Sequence, residues 1–236
     1  MEFFNFNVSK NRIYWVDWLK TIAILAVLLL HCSSKYLLPE CVFQPNWYWG
    51  VFFESISRFG VPLFIMVSGF LILRKDQPIS SVPRRIKRIL IPFIFWLVIY
   101  VIAKFVMINH SFDLFQFGYF LIQAFLDPTI ASIEFWFVYM ILGLYVFSPI
   151  ITTWLHNAEI YEIEYFLIVW ALFSFVGFSN VDFLLYDYLK YFTGSIGYFI
   201  LGYYLYIKQK SILKNRNFGL LLFVAGTLVS FLGTIL

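Results

Sequence analysis

Charged residues are scarce in this chain. They make up only 13% of its 236 residues, whereas 62% of the residues are hydrophobic and the mean hydropathy is +0.83. A soluble domain of this length cannot bury so much apolar surface, so the composition excludes that class and predicts an integral membrane protein. The net charge is only +4, and the basic residues lie between hydrophobic runs. This pattern fits the loops of a membrane protein better than nucleic-acid binding.

Cysteine is also rare, with two residues, Cys32 and Cys41. Their spacing is not that of a metal site, so no metal is expected. Both fall in one predicted external loop, where an oxidising compartment would allow a disulfide, and two unrelated thiols are the alternative. The chain also has no G-x-S-x-G elbow, no P-loop and no His-x4-Asp motif. The signature of the common soluble glycerolipid acyltransferases is therefore missing.

Long hydrophobic runs are abundant instead. A bilayer core needs about 20 apolar residues per helix, and about seven segments meet or nearly meet this length. We therefore predict an all-α, polytopic bundle of about seven transmembrane helices. The predicted spans are 14–31, 51–73, 89–107, 135–155, 165–178, 191–207 and 218–236. The stretch 109–133 is interrupted by Asp113, Asp127 and Pro128, and we expect it to be interfacial or re-entrant.

The distribution of Lys and Arg predicts the orientation. Twelve of these residues fall on the side of the N-terminus, in the N-terminal tail and the second and sixth connections. Only Lys35 and Lys190 fall on the other side, so we predict a cytoplasmic N-terminus. The chain reaches residue 236 inside the seventh hydrophobic run. We expect residues 1–236 to form a single membrane-embedded domain that is truncated at its C-terminus.

The first span carries polar side chains along one flank. At 100° and 1.5 Å per residue, Asp17, Lys20 and His31 fall within about 60° of one another. Lys20 and His31 are nevertheless about 16 Å apart along the helix axis, which predicts one cavity lined at two depths. The alternative is that Lys20 extends to the inner interface and pairs with Asp17, while His31 is an interfacial ring.

The second span carries Glu54 and Arg58 four positions apart, in its outer half. Because ionised groups inside a membrane helix are costly, we expect them to face a cavity and mark a site. Glu54 is predicted near the depth of His31, and Glu134 is expected at the same outer level. The alternative for Glu54 and Arg58 is a structural ion pair that holds two helices together.

The inner level offers the basic run RKDQPISSVPRRIKR, which contains Arg85 and Arg88 as an Arg-x-x-Arg pair. On a helix these two residues share a face, and planar guanidinium groups suit phosphates. The alternative is ordinary positive-inside charge that contacts anionic lipids.

Two further groups of residues have structural interpretations. His110 and His156 lie at predicted interfaces without an evident partner, so neither is expected to have a function. Gly194, Gly197 and Gly202 do not have dinucleotide-binding spacing and are expected to permit close helix packing.

Five sequence blocks are spread along most of the chain, between residues 14 and 205: YWVDWLKTIAILAVLLLHCS, SRFGVPLFIMVSGFLILRK, RRIKRILIPFIFW, EFWFVYMILGLYVFSPII and GYFILGYYL. In this order they resemble the acyltransferase-3 family of bacterial integral membrane proteins. The family pattern of a basic residue, ten residues and a His matches Lys20 and His31. Its Arg-x-x-Arg pattern matches Arg85 and Arg88, and the SRFGVPLF block matches at Arg58.

The resemblance implies a multi-pass acyltransferase of the bacterial inner membrane. Family members move acetyl or other acyl groups, usually from a cytoplasmic coenzyme A thioester, to sugars of cell-envelope polysaccharides. The expected substrates are therefore acetyl-CoA or another acyl-CoA and a glycan acceptor, with no permanently bound cofactor. Membrane lipids are expected as further partners, and nucleic acid is not. The implied catalytic residues are His31 (as base or acyl relay), Glu54 and Arg58, and the implied donor-binding residues are Lys20, Arg85 and Arg88.

Two features depart from the family pattern. The family usually has more spans than the seven predicted here, and the position of Glu134 is often His.

Two other functional classes stay open. One is a transporter or flippase for a lipid-linked or anionic substrate, which would use the same charges along a translocation path. The other is a non-catalytic membrane scaffold, and acyl-CoA-dependent labelling separates the acyltransferase from both.

Overall fold

The computed structural model describes residues 13–108, 114–178, 194–208 and 215–235. Within these ranges the chain forms nine α-helices, connected by 3-10 turns and loops, and no strand. The prediction of an all-α fold is confirmed. The helices are α1 (Tyr14–Ser34), α2 (Pro45–Ser57), α3 (Gly60–Leu73), α4 (Val82–Ile108), α5 (Leu114–Leu126), α6 (Trp136–Asn157), α7 (Ile160–Phe178), α8 (Ile196–Lys208) and α9 (Arg216–Ile235).

Five helical stretches within the described ranges are long and apolar enough to cross a membrane. They are Tyr14–Leu37, Pro45–Leu73, Ile79–Ile108, Ile133–Asn157 and Arg216–Ile235, and they coincide with five of the predicted spans. The fifth predicted span lies within α7, and the sixth begins in residues 179–193, outside the described residues. The count of seven therefore stays a prediction.

Helix α5 lies in the stretch that was predicted to be interfacial or re-entrant. Its 13 residues extend about 20 Å, which is shorter than the roughly 30 Å hydrocarbon core of a bilayer. This length agrees with that prediction, although Asp113 lies outside the described residues. The predicted orientation also depends on residues outside them, namely Lys10, Arg12, Lys190, Lys210 and Lys214, and it stays a prediction.

The chain divides into two compact units. One consists of Met1–Leu71 together with Trp170–Leu236, and the other of Ile72–Val169. We call them the split unit and the central unit.

The second membrane-length stretch contains a break between α2 and α3. Pro62 has no N–H, so the carbonyl oxygen of Arg58 receives no hydrogen bond from position 62. Helical bonding resumes one residue later, where the Leu63 N–H donates to the Phe59 carbonyl oxygen at 2.9 Å. Arg58 therefore lies at the end of a helix, whereas the sequence predicted one continuous span over residues 51–73.

In the split unit, α1 packs antiparallel against α2 and α3 at small residues. A Cβ added at Gly50 would lie 2.7 Å from the Cβ of Tyr36, and one added at Gly60 would lie 2.9 Å from the Ala23 carbonyl oxygen. Glycine is required for such close backbone approach. The same two contacts fix the register, because residues 50 and 60 lie level with residues 33–36 and 23–27.

The backbones of α3 and α8 also meet at glycines in the split unit. A Cβ at Gly69 would overlap the Phe199 carbonyl oxygen, and a Cβ at Gly202 would overlap the Met66 carbonyl oxygen. Around this crossing the side chains of Ile65 and Phe199 are almost completely buried. The prediction that Gly202 permits close helix packing is confirmed.

Gly194 and Gly197, the other two glycines that were predicted to permit close helix packing, have different surroundings. A Cβ at Gly197 would overlap the ring of Trp170, so the packing prediction is also confirmed there. Among the described residues, none has an atom within 4 Å of a Cβ added at Gly194, but the Gly194 carbonyl oxygen accepts a hydrogen bond from Trp170 Nε1 at 3.2 Å.

In the central unit, α5 and α6 pack against one face of α4. Its buried residues Phe93, Leu97 and Val101 recur every four positions, which places them on the same side of the helix. Ala124 of α5 is buried against them, and Val138 of α6 packs on the same cluster. This core aligns α4 beside the first turns of α6.

Helix α6 contains a proline whose missing hydrogen bond is replaced by a side chain. Pro149 has no N–H to donate to the Tyr145 carbonyl oxygen. The hydroxyl of Ser148 donates to that oxygen instead, at 2.8 Å, and Ser148 is fully buried. The hydroxyl oxygen is thereby fixed inside the central unit, where it can accept a hydrogen bond from another helix.

Candidate functional site

Lys20 and His31 lie on one flank of α1. Both side chains are half-buried, beside the face that carries the buried residues Val16, Ala23 and Ala26. Eleven positions separate them, which is about 16 Å along a helix axis. This separation follows from the helix itself, and the cavity lined at two depths stays a prediction.

Glu54 and Arg58 form an ion pair on α2. Arg58 Nη2 donates to Glu54 Oε2 at 2.8 Å and also lies 3.3 Å from Thr234 Oγ1 on α9. The Glu54 side chain is only 14% exposed, against 38% for that of Arg58. Because helical side chains lean toward the N-terminus of their helix, Arg58 extends back beside Glu54. The pair joins α2 to α9, which is the structural function that the alternative interpretation assigned to it.

The depth of Glu54 relative to α1 follows from the packing register. Since Gly50 lies level with residues 33–36 and Gly60 with residues 23–27, interpolation places Glu54 level with residues 29–32. His31 falls inside this interval. Glu54 and His31 therefore lie at a similar height along the paired helices α1 and α2, and their joint function at the outer level stays a prediction.

Arg85 is directed into the central unit. Its Nη1 donates to Ser148 Oγ at 3.3 Å, and its Nη2 donates to Gln77 Oε1. The amide nitrogen of Gln77 donates in turn to the carbonyl oxygens of Ile72 and Lys75. One guanidinium thus connects the loop before α4 with α6, so part of its hydrogen-bonding capacity is used within the protein.

Arg88 lies one turn further along α4 and has different surroundings. Its side chain is exposed and forms one end of a groove of about 500 Å³, lined otherwise by apolar and aromatic side chains. Tyr145 of α6 lies within electrostatic range of both Arg85 and Arg88. The Arg-x-x-Arg pair therefore does not consist of two equivalent guanidinium groups. Arg85 connects two parts of the central unit, and Arg88 is presented outward.

His156, at the end of α6, contacts the same loop. Its Nδ1 lies 2.9 Å from Asp76 Oδ1, and its Nε2 lies 2.8 Å from the Leu73 carbonyl oxygen. Both ring nitrogens face acceptors, so His156 attaches residues 74–79 to α6. The prediction that His156 is without a partner is wrong, because the contact comes from a loop 80 positions away in the sequence. His110 lies outside the described residues.

Three other residues singled out in the sequence can be placed. Glu134 lies in the turn before α6, accepts a hydrogen bond from Ser132 and belongs to the central unit. Cys32 and Cys41 are both free thiols, so the structure has the two-thiol alternative and no disulfide between them.

The helices and the site together define a class of protein. Five apolar stretches of membrane length among the described residues make this a multi-pass membrane protein, and the Glu54–Arg58 ion pair within one of them marks a candidate polar site. A comparison with protein families is more specific, because the model of the acyltransferase-3 family, described as an acyltransferase domain, matches residues 13–236. The chain belongs to this family, and it is a membrane acyltransferase. Comparisons with curated proteins and with solved structures give no match.

The structure adds site residues that the sequence analysis did not single out. Gln77 and Ser148 hold Arg85, Thr234 contacts Arg58, and Asp76 contacts His156. Only Ser148 had a local sequence signal, since a hydroxyl residue directly before a proline inside a helix can replace the lost backbone donor. The other contacts join segments that are far apart in the sequence, so no local pattern predicts them.

Proposed function

We propose that this membrane acyltransferase moves an acetyl or other short acyl group from cytoplasmic acyl-CoA to a hydroxyl of a cell-envelope sugar, in the bacterial inner membrane. The observation that carries the proposal is the position of Lys20 and His31 at two depths on one flank of α1, in a chain of the acyltransferase-3 family. If the acyl-CoA donor enters from one side of the membrane and the sugar acceptor from the other, the group that binds the donor's phosphates and the group that accepts the hydroxyl proton must lie at different depths.

The donor end of the site is assigned to basic residues at the predicted cytoplasmic level. The exposed Arg88 of the central unit is assigned to the phosphates of the coenzyme, because charge-assisted hydrogen bonds to phosphate are strong. Lys20 of the split unit is assigned to the anionic donor from its match to the family pattern. Arg85 already bonds to Gln77 and Ser148, so its main contribution would be to hold the loop beside Arg88. The pantetheine arm would then carry the thioester toward the level of His31.

His31 would act on the acceptor. A sugar hydroxyl is a weak nucleophile at neutral pH, and its oxygen becomes reactive as a base removes its proton. As His31 accepts that proton, the oxygen attacks the thioester carbonyl carbon, the carbon–sulfur bond breaks, and the coenzyme leaves as a thiolate that takes up a proton. In the relay variant, the imidazole nitrogen attacks the thioester carbonyl carbon, the carbon–sulfur bond breaks and the coenzyme leaves as a thiolate. The sugar oxygen then takes the acyl group as the acyl–nitrogen bond breaks, and the hydroxyl proton passes to the thiolate.

Glu54 and Arg58 would support this step at the same depth. Glu54 is the carboxylate that the packing register places level with His31, which supports its predicted function as the group that orients the imidazole. Arg58 forms an ion pair with the Glu54 carboxylate and joins it to α9 through Thr234. Replacement of Glu54 by Gln should therefore reduce transfer less than loss of His31. The His31 base remains in this variant, and the Gln side-chain oxygen can still accept a hydrogen bond.

The test compares His31→Ala with the wild-type protein in reconstituted membranes, using radiolabelled acetyl-CoA and candidate envelope glycans. We expect labelled glycan and free CoA from the wild type, no transfer from His31→Ala, and unchanged acetyl-CoA binding in both. General-base catalysis contributes roughly 10²–10⁴ in rate, so the loss should exceed 100-fold. Cys32→Ala is the matched control, because it changes the neighbouring exposed side chain at the same depth and should retain activity.

Two outcomes would contradict the proposal. Transfer by His31→Ala at near the wild-type rate would show that this imidazole is not catalytic. Absence of acetyl-CoA binding to the wild type, together with movement of a lipid-linked or anionic substrate across the membrane, would favour the transporter class instead. Stoichiometric CoA release without an acceptor would identify the relay variant.

A further inference from the structure

A groove of the central unit lies where α6 ends and α7 begins, and it shares no lining residue with the groove at Arg88. Its volume is about 460 Å³. The lining residues are Trp154 of α6 and Tyr161, Glu162, Tyr165, Phe166 and Val169 of α7. Those of α7 recur at three- and four-residue spacing, so they share one side of the helix, and the buried Ile163 and Leu167 fall outside it. From Tyr161 to Val169 the groove follows about 12 Å of helix.

The groove changes from polar to apolar along its length. Glu162 lies in the first turn of α7, before the predicted span 165–178, and Val169 lies within that span. One end is therefore expected at the level of the lipid head groups and the other among the acyl chains. The Trp154 and Phe166 rings are in contact, with centroids 5.5 Å apart, so one aromatic wall continues from α6 onto α7.

The charge distribution around the groove favours a cation. Among the described residues that line it, Glu162 is the only charged one, and the faces of aromatic rings carry partial negative charge. Glu162 Oε2 accepts a hydrogen bond from the Glu159 N–H at 2.8 Å, but a carboxylate can accept about four such bonds, so capacity remains for a ligand. The loop with the basic Lys75 lies on another side of α6. His156 holds that loop, and it follows Trp154 by two positions, or about 200° around the helix.

We propose that this groove binds a molecule of phosphatidylethanolamine. The ammonium group of the lipid lies between the Glu162 carboxylate and the rings of Trp154 and Tyr161. One acyl chain lies along Phe166 and Val169. Charge complementarity supports this occupant, because an ammonium group is stabilised both by the face of an aromatic ring and by a charge-assisted hydrogen bond to a carboxylate.

Other ligands complement the groove less well. The ammonium group of phosphatidylethanolamine has N–H donors for Glu162, as that of lysine does, whereas the quaternary ammonium of phosphatidylcholine has none. Phosphatidylglycerol has no cation, and its phosphate would be repelled by the carboxylate. A soluble amine would leave the apolar end beside Val169 uncovered, whereas an acyl chain buries it. The inference does not depend on the proposed acyl transfer, because lipid binding can be measured without any donor or acceptor.

The first test measures the lipid affinity of the purified protein by native mass spectrometry, using the ethanolamine, choline and glycerol phospholipids with identical acyl chains. We expect the wild type to bind phosphatidylethanolamine most tightly. Glu162→Gln should lower this affinity by about 2- to 5-fold, as expected for an exposed ion pair. The Gln amide oxygen can still accept from the Glu159 N–H, so the first turn of α7 should stay folded. Glu159→Gln is the matched control, because it removes a neighbouring exposed carboxylate that does not line the groove, and it should retain the affinity.

The aromatic wall is tested by Trp154→Leu, which keeps an apolar side chain and removes the ring face. Exposed cation–π contacts correspond to about 2- to 5-fold in affinity, and we expect a loss of this size for phosphatidylethanolamine. Trp18→Leu is the matched control, because it changes another exposed tryptophan on α1 and should leave the affinity unchanged.

The second test locates the lipid with a photoreactive group on the acyl chain of phosphatidylethanolamine. Cross-linked peptides should contain Phe166 or Val169, and cross-linking should fall in Glu162→Gln. Equal affinity of the wild type for the three lipids would show an ordinary interfacial belt of aromatic residues and overturn the site. Equal loss in Glu159→Gln and Glu162→Gln would show general attraction by the acidic connection and overturn it as well. Cross-linking only outside the groove would assign the groove to a soluble amine or a partner protein and would also overturn the lipid site.

Discussion

Replacement of Arg85 should mainly destabilise the central unit, whereas replacement of Arg88 should mainly weaken donor binding. In Arg85→Ala two hydrogen bonds of a charged group are lost, one to Ser148 and one to Gln77. Ser148 keeps the Tyr145 carbonyl oxygen as an acceptor, so the larger loss falls on Gln77. Hydrogen bonds to charged groups contribute about 1.5–3 kcal/mol each. We therefore expect the free energy of unfolding to fall by about 1.5–3 kcal/mol, the contribution of one such bond.

This loss should be visible in a thermal unfolding experiment. A change of 1 kcal/mol shifts Tm by about 2–4 °C for chains of 150–250 residues, so Arg85→Ala should unfold roughly 3–12 °C earlier. Arg88→Gln removes an exposed side chain and should change stability by less than about 0.5 kcal/mol. Its affinity for CoA should fall by about 10- to 150-fold, which corresponds to the same 1.5–3 kcal/mol for a lost charged contact. Arg84→Gln is the matched control and should change both quantities little.

Trypsin provides a local readout for the same variants. The loop that Gln77 closes contains the exposed Lys75, and cleavage after Lys75 should be faster in Arg85→Ala than in the wild type. Arg85→Lys should lie between them, because one ammonium group cannot reproduce a planar fork that reaches two partners. The reasoning would be refuted if Arg85→Ala kept the wild-type Tm and protease resistance while losing as much CoA affinity as Arg88→Gln. The two arginines would then be equivalent phosphate ligands.

Three further predictions concern packing, the loop and the orientation. Gly202→Ala should destabilise the protein by about 1–3 kcal/mol, as overpacking does. The control is Gly226→Ala, where a Cβ has open space among the described residues, and it should be neutral or up to about 1 kcal/mol stabilising. Equal Tm values for the two variants would contradict the helix crossing. His156→Ala should speed tryptic cleavage of the loop after α3, and an unchanged rate would show that the imidazole does not hold it. A cysteine placed at Ser80 should react with an impermeant probe only in permeabilised cells, and one at Pro45 in intact cells; labelling of the first from outside would reverse the orientation.

The sequence predicted the helical class and most of the membrane-length stretches because both depend on local composition. It did not predict the break at Arg58, because the span was placed by its overall apolar length, whereas the missing N–H of Pro62 is what interrupts the helix. It also placed the start of that stretch at Val51, six positions after α2 begins at Pro45. The polar residue Asn46 and the helix-weakening Gly50 obscured the first turns.

The candidate site was predicted in part for a related reason. Helical spacing was sufficient to place Lys20 and His31 on one flank and to pair Glu54 with Arg58, since each relation lies within one helix. Spacing could not distinguish Arg85 from Arg88, because their difference comes from Gln77 and Ser148, which lie outside the helix start. It failed for His156 because both partners of this residue come from another segment.

The crossing at Gly69 and Gly202 also constrains how the protein is made. The two backbones touch where Gly69 meets Phe199 and where Gly202 meets Met66, although 133 positions separate the two glycines in the chain. A ribosome that adds about 5–20 residues per second needs roughly 7–27 s to synthesise that interval. All of Ile72–Val169 emerges during this time, so the central unit is fully synthesised before α8 exists. The first half of the split unit, Met1–Leu71, is therefore synthesised well before α8 can pack against Gly69. The central unit is therefore complete before the split unit, which contains α1, can form its helix crossing at Gly69 and Gly202.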